Sequence, residues 1–184
     1  MSEVVYLKTV ILGDTGVGKT ALVNRFVHDK YVDIYRPTVG VEFQTKDATI
    51  NGRRVIFQIW DMSGSNDFPS LVTVFCRDVD CCIFVYDVTN SETFNTLDMR
   101  IMEFLNFTHA NSETFPFALI GNKTDVDKRT TSIGEALEWC SNNHFIPYFE
   151  TTAKDGSLNV EEVFHTVAKT ALKYSWPIHK NIKY

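Results

Sequence analysis

Gly13-Asp14-Thr15-Gly16-Val17-Gly18-Lys19-Thr20 fits the pattern G-x-x-x-x-G-K-[ST], directly after the apolar run from Val4 to Leu12. A loop of this kind holds the phosphates of a nucleotide. Its glycines bring the backbone against phosphate oxygens where a Cβ would collide. Successive N–H groups then form an anion nest, and the helix behind it presents its positive end. Asp14, Thr15, Gly16, Val17, Gly18 and Ala21 are therefore expected contacts to the nucleotide. Lys19 supplies a point charge for the β- and γ-phosphates, and the Thr20 hydroxyl one ligand for Mg²⁺.

A phosphate loop does not choose a base. Asn122-Lys123-Thr124-Asp125, after the strand-like run ending Leu119-Ile120-Gly121, offers that choice. Guanine presents N1–H and N2–H₂ as neighbouring donors, and the Asp125 carboxylate can accept both. Adenine lacks the pair and would leave the acid unpartnered, at a cost of roughly several kcal/mol. The Lys123 stem can lie along the base plane, and Asn122 can tie this loop to the phosphate loop. An ATP-using kinase or ATPase is the competing reading, and Asn122–Asp125 argues against it.

These groups need a scaffold. Lys19 to about His28 reads as a helix, with Leu22, Val23, Phe26 and Val27 at helical spacing. Val39–Ile50 and Arg53–Trp60 read as strands joined by Asn51-Gly52, which suits a two-residue I′ turn and so an antiparallel pair. Residues 62–78 look irregular, with room for a short helix. Cys81 to Tyr86 is a continuous apolar run, as expected for a strand covered on both faces. A helix over about Glu92–Phe107, a strand at Phe117–Ile120, a helix over about Ile133–Ser141, a strand at Ile146–Glu150 and a helix over about Val160–Tyr174 follow. This alternation predicts an α/β fold, a P-loop domain with a mostly parallel six-stranded sheet, one antiparallel strand and helices on both faces. Ligands in such sheets bind at the carboxyl ends of strands, where the phosphate loop sits.

The 184 residues suggest one domain able to bury about 70% of its unfolded surface. With 44% hydrophobic and 22% charged residues, disorder is not expected. The net charge of −5 and the absence of a long Lys/Arg run speak against a nucleic-acid partner. Cys76, Cys81, Cys82 and Cys140 contain no C-x-x-C pair and read as small buried thiols in a reducing, cytoplasmic setting. Met1-Ser2-Glu3 shows neither a signal peptide nor a myristoylation glycine.

Over about residues 6–174 the chain resembles the Ras-like small GTPases, and among them the Rab family, in particular its late-endosomal branch. The residues that carry the resemblance are Gly13–Thr20, Thr38-Val39-Gly40, Trp60-Asp61-Met62-Ser63-Gly64, Asn122–Asp125 and Thr152-Ala153-Lys154. The resemblance implies a GTP/GDP-dependent switch that binds Mg²⁺, hydrolyses GTP and acts in vesicle trafficking, peripheral to endosomal or vesicle membranes. It makes Thr38 a sensor whose hydroxyl meets Mg²⁺ and whose N–H meets the γ-phosphate. It also gives Asp61 to Mg²⁺ through water, Gly64 to the γ-phosphate, Thr152, Ala153 and Lys154 to guanine, and Tyr31 to a cover over the nucleotide. Residues 31–45 and 60–78 become the two switches that meet effectors, exchange factors and activators, with Phe43, Trp60 and Phe75 as their aromatic contact. Residues 1–176 would form the GTPase domain, 177–184 a short tail, and the protein a monomer.

Two departures qualify the resemblance. The family reads W-D-T-A-G-Q-E where this chain reads Trp60-Asp61-Met62-Ser63-Gly64-Ser65-Asn66. Ser65 stands in place of the glutamine that orients attacking water, so the catalytic set is Lys19, Thr38 and Ser65, with slow hydrolysis expected. A nucleotide-locked adaptor with little turnover is the alternative this feature keeps open. The second departure is Asn181-Ile182-Lys183-Tyr184, which lacks the prenylated cysteines of Rabs, so membrane association is left open.

Overall fold

The computed structural model describes residues 4–33, 36–64, 73–155 and 159–174. Six strands form one sheet: β1 (Val5–Leu12), β2 (Val41–Ile50), β3 (Arg53–Met62), β4 (Cys81–Asp87), β5 (Phe117–Asn122) and β6 (Tyr148–Glu150). Their spatial order is β2-β3-β1-β4-β5-β6, and every neighbouring pair is parallel except β2 with β3. Asn51 and Gly52 close that hairpin with φ of 50° and 76°, the left-handed pair a I′ turn needs. Five helices lie wholly within the described residues: α1 (Lys19–His28), α2 (Ser91–Asn95), α3 (Leu97–Thr108), α4 (Ile133–Asn142) and α5 (Val160–Tyr174).

Alternating side chains of the central strands feed two cores. Cys81, Ile83 and Val85 of β4 join Leu22, Val23 and Phe26 of α1 and Val163, Phe164 and Val167 of α5. Cys82, Phe84 and Tyr86 point the other way, onto Leu97, Ile101 and Phe104 of α3 and Ala136 and Cys140 of α4. All seven residues of β4 are buried, which explains why its sequence is an unbroken apolar run.

The single helix expected over Glu92–Phe107 is two, α2 and α3, divided at Thr96. Hydroxyls cause the break. Thr93 Oγ1 donates to the Asn90 carbonyl at 2.7 Å, and Thr96 Oγ1 donates to the Thr93 carbonyl at 3.1 Å and to Asp14 Oδ2 at 2.9 Å. Such back-bonding competes with the helical ladder. The strand expected from Ile146 begins at Tyr148. Pro147 has no N–H, and its carbonyl accepts from Leu119 N at 2.9 Å.

Candidate functional site

The loop between β1 and α1, the end of β5 and the loop after β6 enclose a cleft of about 1170 Å³. Thr15, Gly16, Gly18, Lys19, Thr20, Ala21, Tyr31, Thr38, Gly64, Asn122, Lys123, Asp125, Thr152, Ala153 and Lys154 line it. Gly18 precedes α1 with φ 99°, and a Cβ there would stand 2.3 Å from Asn122 Nδ2. No side chain caps α1 and its first turn carries no acid. The first amides of the helix are therefore open to an anion.

Lys19 is buried and its Nζ donates to the carbonyls of Gly13 and Asp14, both at 2.8 Å. Burial lowers its pKa to about 8, against the opposing pull of Asp61. Two of its three N–H donors are engaged by the loop, and the third remains for an anion in the cleft.

Thr20, Thr38 and Asp61 converge from three segments. The hydroxyls of Thr20 and Thr38 lie 2.7 Å apart, and Thr20 Oγ1 also donates to Asp61 Oδ2. Asp61 is fully buried at the end of β3, and burial raises its pKa to about 6 despite the Thr20 bond and Lys19. Its other oxygen, Oδ1, accepts no hydrogen bond among the described residues. A buried carboxylate oxygen without a partner beside two hydroxyls suits a hard cation. Among the described residues no group of three or more His, Cys, Asp or Glu could hold a metal. The two hydroxyls and single carboxylate of Thr20, Thr38 and Asp61 instead fit Mg²⁺, which takes one or two carboxylates together with phosphate oxygens and waters.

At the far end, Asn122 is buried, donates Nδ2 to the Val17 carbonyl at 2.8 Å and accepts from Thr151 Oγ1 at 3.3 Å. Lys123 has φ 68° and its ammonium pairs with Asp87 Oδ2 at 2.6 Å, which fixes the stem at the cleft wall. Asp125 is exposed and accepts from Thr152 Oγ1 at 2.7 Å, and the same hydroxyl accepts from Lys154 N at 3.1 Å. One carboxylate oxygen is thereby aimed, and Asp125 lines the cleft, where its carboxylate can accept a pair of donors.

Three expected contacts do not line the cleft with their side chains, which leaves the backbone amides of Asp14 and Val17 and the carboxylate of Asp61 as what they offer to it. Asp61 is beneath Thr20, and Val17 is fully buried in the first core. Asp14 turns its carboxylate away, where Thr96 and Arg100 hold it. Gly64 lies so close to the phosphate loop that a Cβ would stand 2.2 Å from Thr15 N. Ser65 falls outside the described residues. Phe43 is 50% exposed, with its ring 4.8 Å from that of Trp60, which in turn lies 5.0 Å from Phe75. Trp60 and Phe75 are partly buried against the second core.

The sequence reading missed four supporting groups. Arg25 of α1 donates to the carbonyls of Ala153 and Lys154 at 3.0 and 3.1 Å, bracing the guanine-side loop. Asp87 anchors Lys123, and its position at the end of the apolar β4 run was a usable signal, like that of Asp61 at the end of β3. Thr96 and Arg100 gave no local signal, because only the tertiary fold brings them to Asp14.

The sequence profile of the Ras family matches residues 8–173. The chain is 48% identical to the Ypt/Rab-type GTPase ypt7 of Schizosaccharomyces pombe over 170 residues, covering 91% of this chain and 82% of that protein. It is 45% identical to the Ras-related protein Rab7 of Drosophila melanogaster, over 91% of this chain and 81% of that one. The Ras-related protein RABG3a of Arabidopsis thaliana shares 47% over 90% of this chain and 82% of its own.

Proposed function

This chain belongs to the Ras family of small GTPases, and from that membership and its cleft we propose how it holds and reads its nucleotide. It is a Rab-type switch in membrane trafficking that binds GTP and GDP with Mg²⁺, hydrolyses GTP and meets effectors, exchange factors and activators. In our reading the amides of residues 14–21 and the Lys19 ammonium grip the phosphates. Asp125, with Asn122, Lys123, Thr152, Ala153 and Lys154, selects guanine, and Tyr31 covers the cleft. Thr20, Thr38 and Asp61 hold Mg²⁺, which neutralises charge on the phosphates when bound.

The observation that supports the switch best is Thr38 Oγ1 at 2.7 Å from Thr20 Oγ1. It joins the first switch loop to the phosphate loop at the cation corner. Thr38 and Gly64 then share the terminal phosphate, and both loops relax once it leaves. Residues 31–45 and 60–78 form the partner surface, with half-exposed Phe43 as its anchor. Residues 1–176 act as the GTPase domain of a monomer that works at the cytoplasmic face of endosomal or vesicle membranes. Among the described residues no helix is long and apolar enough to cross a membrane.

Ser65 makes hydrolysis slow in this reading, by roughly tenfold to a thousandfold, the scale of one lost positioned group. Single-turnover GTP cleavage with Mg²⁺ tests it. Ser65→Gln is expected to speed cleavage by that factor, and equal rates in both proteins would overturn the assignment.

A further inference from the structure

Arg100, on α3, meets two segments of the cleft at once. Its Nη2 and Nε donate to Asp14 Oδ1 at 2.6 and 3.2 Å, and Nη2 also donates to the Gly64 carbonyl at 3.3 Å. The Arg100 and Asp14 side chains are only 13% and 21% exposed. Four residues earlier Thr96, the residue that precedes α3, holds the second Asp14 oxygen through Oγ1 at 2.9 Å, so α3 and the residue at its start fix both oxygens of that carboxylate. The Asp14 carbonyl meanwhile accepts from Lys19 Nζ. Gly64 presses backbone to backbone on the same residues, since a Cβ there would lie 2.2 Å from Thr15 N and 2.3 Å from the Asp14 carbonyl carbon.

We propose that Arg100 is a positioning residue that clamps the start of the second switch onto the phosphate loop and so favours the triphosphate-bound arrangement over the diphosphate-bound one. The inference rests on the reading above, in which Gly64 meets the terminal phosphate. A guanidinium is the group this task requires. Its planar fork serves a carboxylate and a carbonyl together, whereas an ammonium is a point charge on a flexible stem. Asp14 balances the charge, so the clamp adds no unpaired cation behind the loop.

The clamp and the phosphate contact draw on one closed arrangement of Gly64. Whatever favours that arrangement raises affinity for the ligand that needs it, and by reciprocity the ligand tightens the clamp by the same factor. A nucleotide without the terminal phosphate has no contact with Gly64 and gains nothing from the clamp. Arg100 therefore acts on the ratio of the two affinities. A plain brace between α3 and the phosphate loop would instead weaken both nucleotides alike, because both use that loop.

The test measures dissociation constants of GDP and of a non-hydrolysable GTP analogue, with Mg²⁺, for the full chain and for Arg100→Ala and Arg100→Gln. In Arg100→Ala the analogue is expected to lose about tenfold relative to GDP, with GDP itself changing less than about twofold. Arg100→Gln retains a planar donor of shorter reach, folds under a milder perturbation and is expected to lose about threefold in the same ratio. Equal losses for both nucleotides, or an unchanged ratio in both variants, would overturn the clamp while leaving the nucleotide site standing. Failure of the unmodified protein to bind either nucleotide would sink both readings together.

Discussion

Asn122 Nδ2 donates to the Val17 carbonyl at 2.8 Å, joining the guanine-side loop to the phosphate loop across 105 positions of sequence. The bond is buried, and Thr151 Oγ1 donates to the same amide's oxygen. Asn122→Ala leaves both partners buried and unsatisfied, a loss of about 1–3 kcal/mol. Guanine nucleotide affinity is expected to fall about 10- to 100-fold, seen as faster dissociation of a fluorescent GDP. The thermal midpoint should drop by several degrees in the same protein. An unaltered off-rate would mean that the two loops hold their spacing without this bond.

Asp125 has one oxygen aimed by Thr152 Oγ1 at 2.7 Å. Two charge-assisted hydrogen bonds to guanine are the contacts at stake, each of roughly 1.5–3 kcal/mol. Asp125→Ala is expected to weaken GTP by about a hundredfold or more while ATP, freed from leaving the acid unpartnered, holds its affinity or gains. Competition calorimetry on nucleotide-stripped protein reads both. Thr152→Val, which keeps the volume and removes the aiming hydroxyl, should fall between the two.

Local chemistry made part of this molecule readable in advance. The phosphate loop, Asn51-Gly52 and the buried run of β4 each carry their signal within a few residues, so loop, turn and strand stand where the sequence put them. The break at Thr96 was not readable. The hydroxyl that interrupts the helix has a partner 82 positions away on Asp14. Arg100 escaped notice for the same reason, since an arginine on a helix face is ordinary until the fold brings a carboxylate and a carbonyl to it. Thr20, Thr38 and Asp61 are an intermediate case: each was identified singly, but the pairing of β3 with β1 on one side and with β2 on the other gathers them at one corner.

Gly64 has no room for a side chain, because a Cβ would stand 2.2 Å from Thr15 N and 2.6 Å from the Asp14 carbonyl oxygen. Backbone cannot yield as a flexible side chain could. Gly64→Ala is therefore expected to drive the second switch away from the phosphate loop. Single-turnover hydrolysis should fall by about a hundredfold or more, the scale of losing an amide aimed at developing charge. GDP affinity should change by less than about threefold. Normal cleavage by the variant would show that this contact is not needed for chemistry.

Cys76, Cys81, Cys82 and Cys140 are all free and buried. Burial pushes the thiols of Cys76, Cys81 and Cys140 from an ordinary value of 9.0 up to about 12, and raises Cys82 well above 9.0. For Cys76 the neighbouring Lys8 opposes part of the rise, and for Cys81 the Thr9 hydroxyl, 3.2 Å from its sulfur, does the same. Folding thus favours the protonated thiol. The stability this contributes is fully present below about pH 9, where unfolded thiols are still neutral, and is lost as pH rises from there toward 12. Thermal midpoints measured from pH 9 to 11 should decline, the four thiols together outweighing Lys19, whose lowered pKa of about 8 contributes in the opposite direction over that range. At pH 8 the folded protein should react with iodoacetamide on the order of a thousandfold more slowly per thiol than the denatured chain, because the thiolate is the nucleophile. Mass spectrometry should find four alkylated cysteines only after denaturant is added, and rapid labelling of any one of them in the native state would contradict its burial.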